Sequence, residues 1–235
     1  MLLAFNTIIT EKYKIGFDEK TLPLILDGFP YAIVHLGDEK LNNFKIDENV
    51  FSKYSHLLVT GSSLSASQGS EFDEIIIRVI QYFLKIGKPI LGICHGHQML
   101  ARALAGNDAC RKAKAPEFGW KKIQIKKNPL FKDISNPVFL ESHYDEVCNL
   151  PDEFKIIATD QDCIVQAFQY KNLPVWGVQF HPEMQFENGS EMVKNHLLEF
   201  PLDKQYYKNE LDNKEQIEQN FLIFKNFINS TKYRG

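Results

Sequence analysis

Residues 88–104 read KPILGICHGHQMLARAL, and the succession of residue types in these seventeen positions decides the fold. Pro89 to Ile93 is a short apolar run of the kind that fills a strand covered on both faces, and the residues after His95 carry the spacing of an amphipathic helix. Between them Gly92-Ile93-Cys94-His95-Gly96 has the form of a strand-to-helix elbow, in which flanking glycines let two backbone segments close around a strained central residue. Such a turn lifts the cysteine to the carboxyl edge of a parallel sheet, where α/β folds place their ligands. The adjoining helix start, with its dipole and free N–H groups, favours a thiolate and an oxyanion there.

Working outward, short apolar runs alternate with helical patterns, the signature of βαβ units. Strands are expected at residues 2–8, 31–36, 56–60 and 89–93, with a short helix at 18–26. A longer helix at 71–86 has Ile75, Ile76, Val79, Ile80, Phe83 and Leu84 along one stripe and is stopped by Gly87-Lys88-Pro89. Beyond the elbow the pattern becomes strand-rich, at 120–125, 138–140, 154–159, 163–170 and 174–180. Turn signals at Asn128-Pro129 and Asn172-Leu173-Pro174 imply some antiparallel pairing. Residues 214–229 carry Ile217, Phe221, Phe224 and Ile228 at helical spacing and read as a closing amphipathic helix. The expected fold is α/β, a mostly parallel central sheet flanked by helices, in one domain spanning 1–235.

Composition narrows the function classes. With 44% hydrophobic and 24% charged residues the 235-residue chain can bury a sizeable core, and only the end, Ser230 to Gly235, reads as frayed. A net charge of −3 gives no basic field for nucleic acid, and the pairs Lys121-Lys122 and Lys126-Lys127 read as solvated strand edges. No apolar run reaches the length of about 18 residues that a membrane span needs, nor is there a basic-then-apolar leader, so a cytoplasmic protein is expected. Cys94, Cys110, Cys148 and Cys163 are too scattered for a disulfide framework, and the last three read as reduced structural thiols.

Three readings of Cys94 compete: nucleophile, metal ligand with His95 and His97, or buried thiol. Adjacent helix positions diverge by about 100°, so three ligands converging at one helix start is the weakest geometry, and no metal or cofactor is expected. A nucleophilic thiol needs a base, and the base needs an orienting group. The stretch VWGVQFHPEM supplies both, a buried strand ending at His181, a turn fixed by Pro182, then Glu183. If the two strands are parallel neighbours, His181 and Glu183 share an edge with Cys94; taken alone, a surface His-Pro-Glu turn is the blander alternative.

Together GICHGHQ and GVQFHPE resemble the marks of class I, triad-type glutamine amidotransferases, over at least residues 31–183. The resemblance implies a three-layer, flavodoxin-like architecture in which Cys94 attacks the amide carbon of glutamine, His181 passes a proton to the leaving ammonia and Glu183 orients His181. It further implies an oxyanion hole from the backbone N–H groups of Ser62 and His95, with Gly61 permitting the turn in VTGSSLS. Gln98 would help hold the substrate, and the backbone at Ser142 and Tyr144 in ESHYDEV would receive its amino-acid end. SHYDEVCNLPDEFKIIATDQDCIVQAF is similar to the glutaminase component of GMP synthetases. Residues 186–213 then read as an insertion beside the site, a surface segment with a few aromatic anchors. Substrates implied are glutamine or a γ-glutamyl small molecule, and the chain reads either as a glutaminase subunit whose separate synthetase partner takes up the ammonia or as a stand-alone relative that hydrolyses γ-glutamyl compounds. A γ-glutamyl peptidase or hydrolase using the same triad and a non-enzymatic regulatory relative remain alternatives.

Overall fold

The computed structural model describes residues 1–38 and 51–230, so the expected frayed end past Ser230 lies outside the described residues. The first four strands are β1 (Leu2–Asn6), β2 (Tyr31–His35), β3 (His56–Val59) and β4 (Ile90–Ile93). They pair in parallel, in the order β2-β1-β3-β4. β5 (Cys110–Lys122), β6 (Gln124–Ile125) and β7 (Val138–Val147) follow, then β8 (Phe154–Thr159), β9 (Ala167–Tyr170), β10 (Val175–Val178) and β11 (Tyr207–Asn209). β10 lies parallel beside β4, and β9, β8 and β6 extend the sheet antiparallel to eight strands. β11, β5 and β7 form a second, three-stranded sheet.

The helices are α1 (Glu11–Gly16), α2 (Leu22–Leu26), α3 (Asp73–Lys85), α4 (His95–Ala105), α5 (Phe186–Glu199) and α6 (Leu222–Ile228). Period-2 alternation explains the layers. Leu3 and Phe5 of β1 join Val79, Phe83, Met99 and Leu100 on the α3 and α4 face. Leu2 and Ala4 join Leu22, Ile25, Phe224 and Phe227 on the α2 and α6 face. The sheet is thus covered on both sides, as the apolar strands require.

Several boundaries differ from the sequence reading for identifiable reasons. The helix expected at 18–26 begins at Glu11 and runs through a π-helical turn, Phe17–Thr21; α1 buries nothing, so it left no apolar stripe. The strand expected at 138–140 continues to Val147 because its inward residues Glu141, His143 and Asp145 are buried while Tyr144 faces out. Lys121 is not a solvated edge: it is 3% exposed, and its ammonium contacts Glu117, Asp160 and Asp162.

Residues 186–213 are more than an anchored surface segment. α5 lies on the small sheet with Val193 buried against Phe118, Trp120 and Leu140, and His196 stacks on Phe118 at 4.3 Å. β11 then pairs with β5 so closely that a Cβ at Gly119, whose φ is +111°, would sit 2.0 Å from the Lys208 carbonyl oxygen. The closing segment is a 3-10 helix, Lys214–Phe221, begun by a capping box between Asn213 and Gln216 and continued by α6.

Candidate active site

Cys94 sits between β4 and α4 with φ 50° and ψ −106°, a conformation non-glycine residues avoid. What holds it there is the packing of its neighbours. A Cβ at Gly92 would fall 2.4 Å from the Gly96 carbonyl oxygen, and one at Gly96 would fall 2.3 Å from that of Val59. Only glycine allows either approach. The Cys94 N–H donates to the Val178 carbonyl at 2.8 Å, tying the elbow to β10.

The same strand leads to His181. β10 runs parallel to β4 in the register Val178↔Ile93, so three residues later His181 arrives beside the cysteine at the carboxyl edge. Its backbone N–H donates to the Leu140 carbonyl of β7 at 2.8 Å. Its ring Nδ1 lies 2.7 Å from Glu183 Oε1, leaving Nε2 for the cysteine side. Burial alone pulls the imidazole pKa down, but the Glu183 carboxylate and Cys94 outweigh it and hold His181 well above its ordinary value. Glu183 Oε2 is buried and has no hydrogen-bond partner among the described residues. Gly61 closes the other side: a Cβ there would stand 3.1 Å from His181 Cε1 and 3.6 Å from Cys94 Cβ.

The remaining residues singled out in the sequence divide. Gln98 is buried on α4, and its amide nitrogen donates to the Asp145 carbonyl at 2.9 Å and to Gln179 Oε1 at 3.1 Å. The Ser142 carbonyl stands 3.9 Å from Cys94 Sγ. Tyr144 is half-exposed, with its hydroxyl on Asp203 and 3.3 Å from His196, so its side chain serves the 186–213 segment. Ser62 follows Gly61, and its Oγ accepts from the Leu64 N–H at 3.2 Å. His95 and His97 are both buried, and burial pushes them down to about 4 and about 3. The His97 ring packs on Phe168 with centroids 4.9 Å apart.

Sequence reading missed two features. Gln179 is fully buried and its Nε2 donates to Cys94 Sγ at 3.6 Å; the available signal was its place two residues before His181, on the same strand face. Behind β7, His143 Nε2 lies 3.0 Å from Glu117 Oε2 and 3.3 Å from Glu141 Oε2, and Gln166 donates to Glu117 at 3.0 Å. Burial lowers the His143 pKa, but hydrogen bonds to the two glutamates win and lift it to about 10, while burial raises Glu141 to about 7. Among the described residues, the side chains able to meet on one cation are in this region, Glu117–Glu141–His143 and Glu117–Asp160–Asp162.

Known proteins are similar to this chain in sequence and in fold. The glutamine-hydrolyzing GMP synthase subunit of Pyrococcus furiosus is 39% identical over 121 residues, 50% of this chain and 63% of that protein. Its counterpart in Methanococcus aeolicus is 44% identical over 110 residues, 46% of this chain and 57% of that protein. The chain therefore matches less than two thirds of the length of these relatives. A glutamine amidotransferase of Thermotoga maritima has the same fold, with a TM-score of 0.73 at 21% identity over 98% of this chain and 99% of that one. Residues 28–200 match the family model described as Glutamine amidotransferase class-I, and with most of its length inside that match the chain belongs to the class I glutamine amidotransferase family.

Proposed function

We propose that the protein hydrolyses the side-chain amide of glutamine, or a related γ-glutamyl amide, through Cys94, His181 and Glu183. The observation that carries this reading is a cysteine held at φ 50° on an elbow beside a histidine whose Nδ1 is engaged by a buried carboxylate at 2.7 Å. Thiolate sulfur attacks the amide carbon, and the carbonyl electrons move onto oxygen, where the N–H groups of Ser62 and His95 receive them. Collapse of this intermediate breaks the C–N bond as the His181 imidazolium gives its proton to the leaving nitrogen. The products of this half are ammonia and a γ-glutamyl thioester. His181, now neutral, takes a proton from water as the oxygen adds to the thioester, and glutamate leaves with the thiolate and imidazolium restored. In this reading Gln98 helps hold the substrate, and the β7 backbone at Ser142 and Tyr144 receives its amino-acid end.

The names of the GMP synthase relatives support a second component, a synthetase that consumes the ammonia. Exposed apolar side chains on the 186–213 segment, Leu198 at 66%, Phe200 at 47% and Leu202 at 84%, favour that docked form over a stand-alone hydrolase. The segment also encloses a cleft of about 460 Å³ lined by Trp120, Phe186, Leu197 and Tyr207, whose walls include none of the triad. Among the described residues no helix is long and apolar enough to cross a membrane, and four free buried thiols fit a reducing cytoplasm.

The test is glutamate release from glutamine and from γ-glutamyl dipeptides by purified protein, alone and with cell extract plus ATP. Release abolished by Cys94→Ala supports the reaction. Turnover that survives Cys94→Ala, or none under any condition, would discard it.

A further inference from the structure

Cys94 Sγ is the last atom of a chain of buried hydrogen bonds whose direction is set at its far end. The Asp145 main-chain carbonyl can only accept. It takes an N–H from Gln98 Nε2 at 2.9 Å, and His143 Nδ1, on a ring held protonated by Glu117 and Glu141, lies 3.0 Å from it. With its nitrogen fixed there, Gln98 presents its second N–H to Gln179 Oε1 at 3.1 Å. Gln179 must then point its own nitrogen away, and Nε2 meets Cys94 Sγ at 3.6 Å. Reversing either amide would set oxygen against oxygen or N–H against N–H. The Gln179 backbone is equally fixed, its N–H donating to the Gln166 carbonyl at 2.8 Å, and neither glutamine of the relay is more than 3% exposed.

We infer that Gln179 donates a hydrogen bond to the nucleophilic sulfur and so favours its thiolate form, and that Gln98 acts as a positioning residue by locking the Gln179 amide in the donating orientation. This rests on Cys94 being the nucleophile of the proposed reaction. A donor aimed at sulfur stabilises the anion more than the neutral thiol, and burial enlarges the difference. Gln179 shares the stretch after β10 with His181 and Glu183, whereas the groups that fix its amide, Gln98 and Asp145, come from α4 and β7. Among the described residues the titratable group set against Cys94 is His181, backed by Glu183, while the His95 ring lies nearer Asp73, Arg102 and Asp145. β7 turns the Ser142 carbonyl toward it and keeps the Asp145 carboxylate on Ser65, Ser67 and Lys112.

The experiment measures the rate of Cys94 alkylation by iodoacetamide from pH 5 to 10, corrected for the Cys94→Ala protein, in Gln179→Leu, Gln98→Leu and the double variant. Gln179→Glu, which keeps the side-chain shape but cannot donate when ionised, guards against loss of folding, and melting temperatures accompany each protein. The midpoint should rise by about one pH unit in Gln179→Leu, roughly tenfold slower alkylation on the acid limb below the midpoint, and at least as far in Gln179→Glu. Gln98→Leu should raise it less. The double variant should match Gln179→Leu alone, since Gln98 reaches the sulfur only through its neighbour. Unmoved midpoints in folded Gln179→Leu and Gln179→Glu, or additive shifts in the double variant, overturn the relay. Alkylation reads the sulfur without any substrate, so shifted midpoints in a protein that never turns over glutamine would keep the relay and remove only the proposed reaction.

Discussion

Replacing Glu183 by glutamine separates orienting from proton transfer. The carboxylate lies 2.7 Å from His181 Nδ1 and is the first of the groups that raise the histidine pKa against burial. Glutamine keeps the length and one acceptor oxygen but loses the charge. Its NH2 must also take the place of Oε2, which has no partner among the described residues. Losing one charge-assisted hydrogen bond is worth about 1.5–3 kcal/mol, which corresponds to about a 10- to 100-fold fall in kcat/KM. The penalty stays below that of losing the base because Cys94 also holds the imidazolium charge, as the second group raising its pKa. His181→Asn, which removes the proton carrier, should be far more damaging. The pH profile gives the sharper signature. The imidazolium must keep its proton to give to ammonia, so the basic limb of kcat/KM follows His181. Without Glu183 that limb should move toward neutrality, while the acid side changes less. The assay is glutamate release from pH 5 to 10 for both variants. A basic limb that stays put in Glu183→Gln, or a Glu183→Gln protein weaker than His181→Asn, would show that base and orienter are assigned wrongly.

Three further outcomes are expected. Gly96→Ala should lose on the order of 3 kcal/mol or fail to fold, since its Cβ meets backbone at 2.3 Å; Gly16→Ala, in helical backbone with open space, should gain about 0.5 kcal/mol, both read by urea denaturation. The His143 imidazole has a folded pKa of about 10 against 6.5 unfolded, so its contribution is complete below about 6.5 and is lost as pH rises through about 10. The wild type should therefore lose stability over that window, and His143→Gln should flatten the slope; an unchanged slope in the variant would refute the assignment. Exhaustive chelation should leave activity and melting temperature unchanged, because the Lys121 ammonium already serves Glu117, Asp160 and Asp162; one stoichiometric zinc lost together with activity would refute this.

The central sheet was legible because its strands are buried on both faces and read as unbroken apolar runs. LLAFN, HLLV, ILGI and VWGV need no partner to be recognised, and the glycine, histidine and proline that end two of them mark where chain leaves the sheet. The small sheet was not legible in the same way. β5 is buried without a break from Glu117 to Lys121, two charged residues among them, and a register shift between Lys112 and Glu117 interrupts its pairing. The first part of the strand alternates only weakly, Lys112-Ala113-Lys114-Ala115, with small residues too slight to mark a buried face.

The site divides along the same physical line. Cys94, His181 and Glu183 stand at the ends of apolar strands, where reactive residue types are conspicuous against their surroundings. Glu117, Lys121, Glu141 and His143 stand inside a sheet, where a binary pattern assigns charges to solvent. Their burial becomes tolerable only when all are brought together, His143 between two glutamates and Lys121 among three carboxylates. No single segment contains that balance: the members come from β5, β7 and the turn after β8. The same holds for Gln179, an ordinary amide in sequence whose meaning lies in the partner on each side of it. Sequence therefore discloses the groups proposed to perform chemistry at chain turns, whereas buried polar partners such as His143 and Gln179 emerge only once separated stretches are folded against one another.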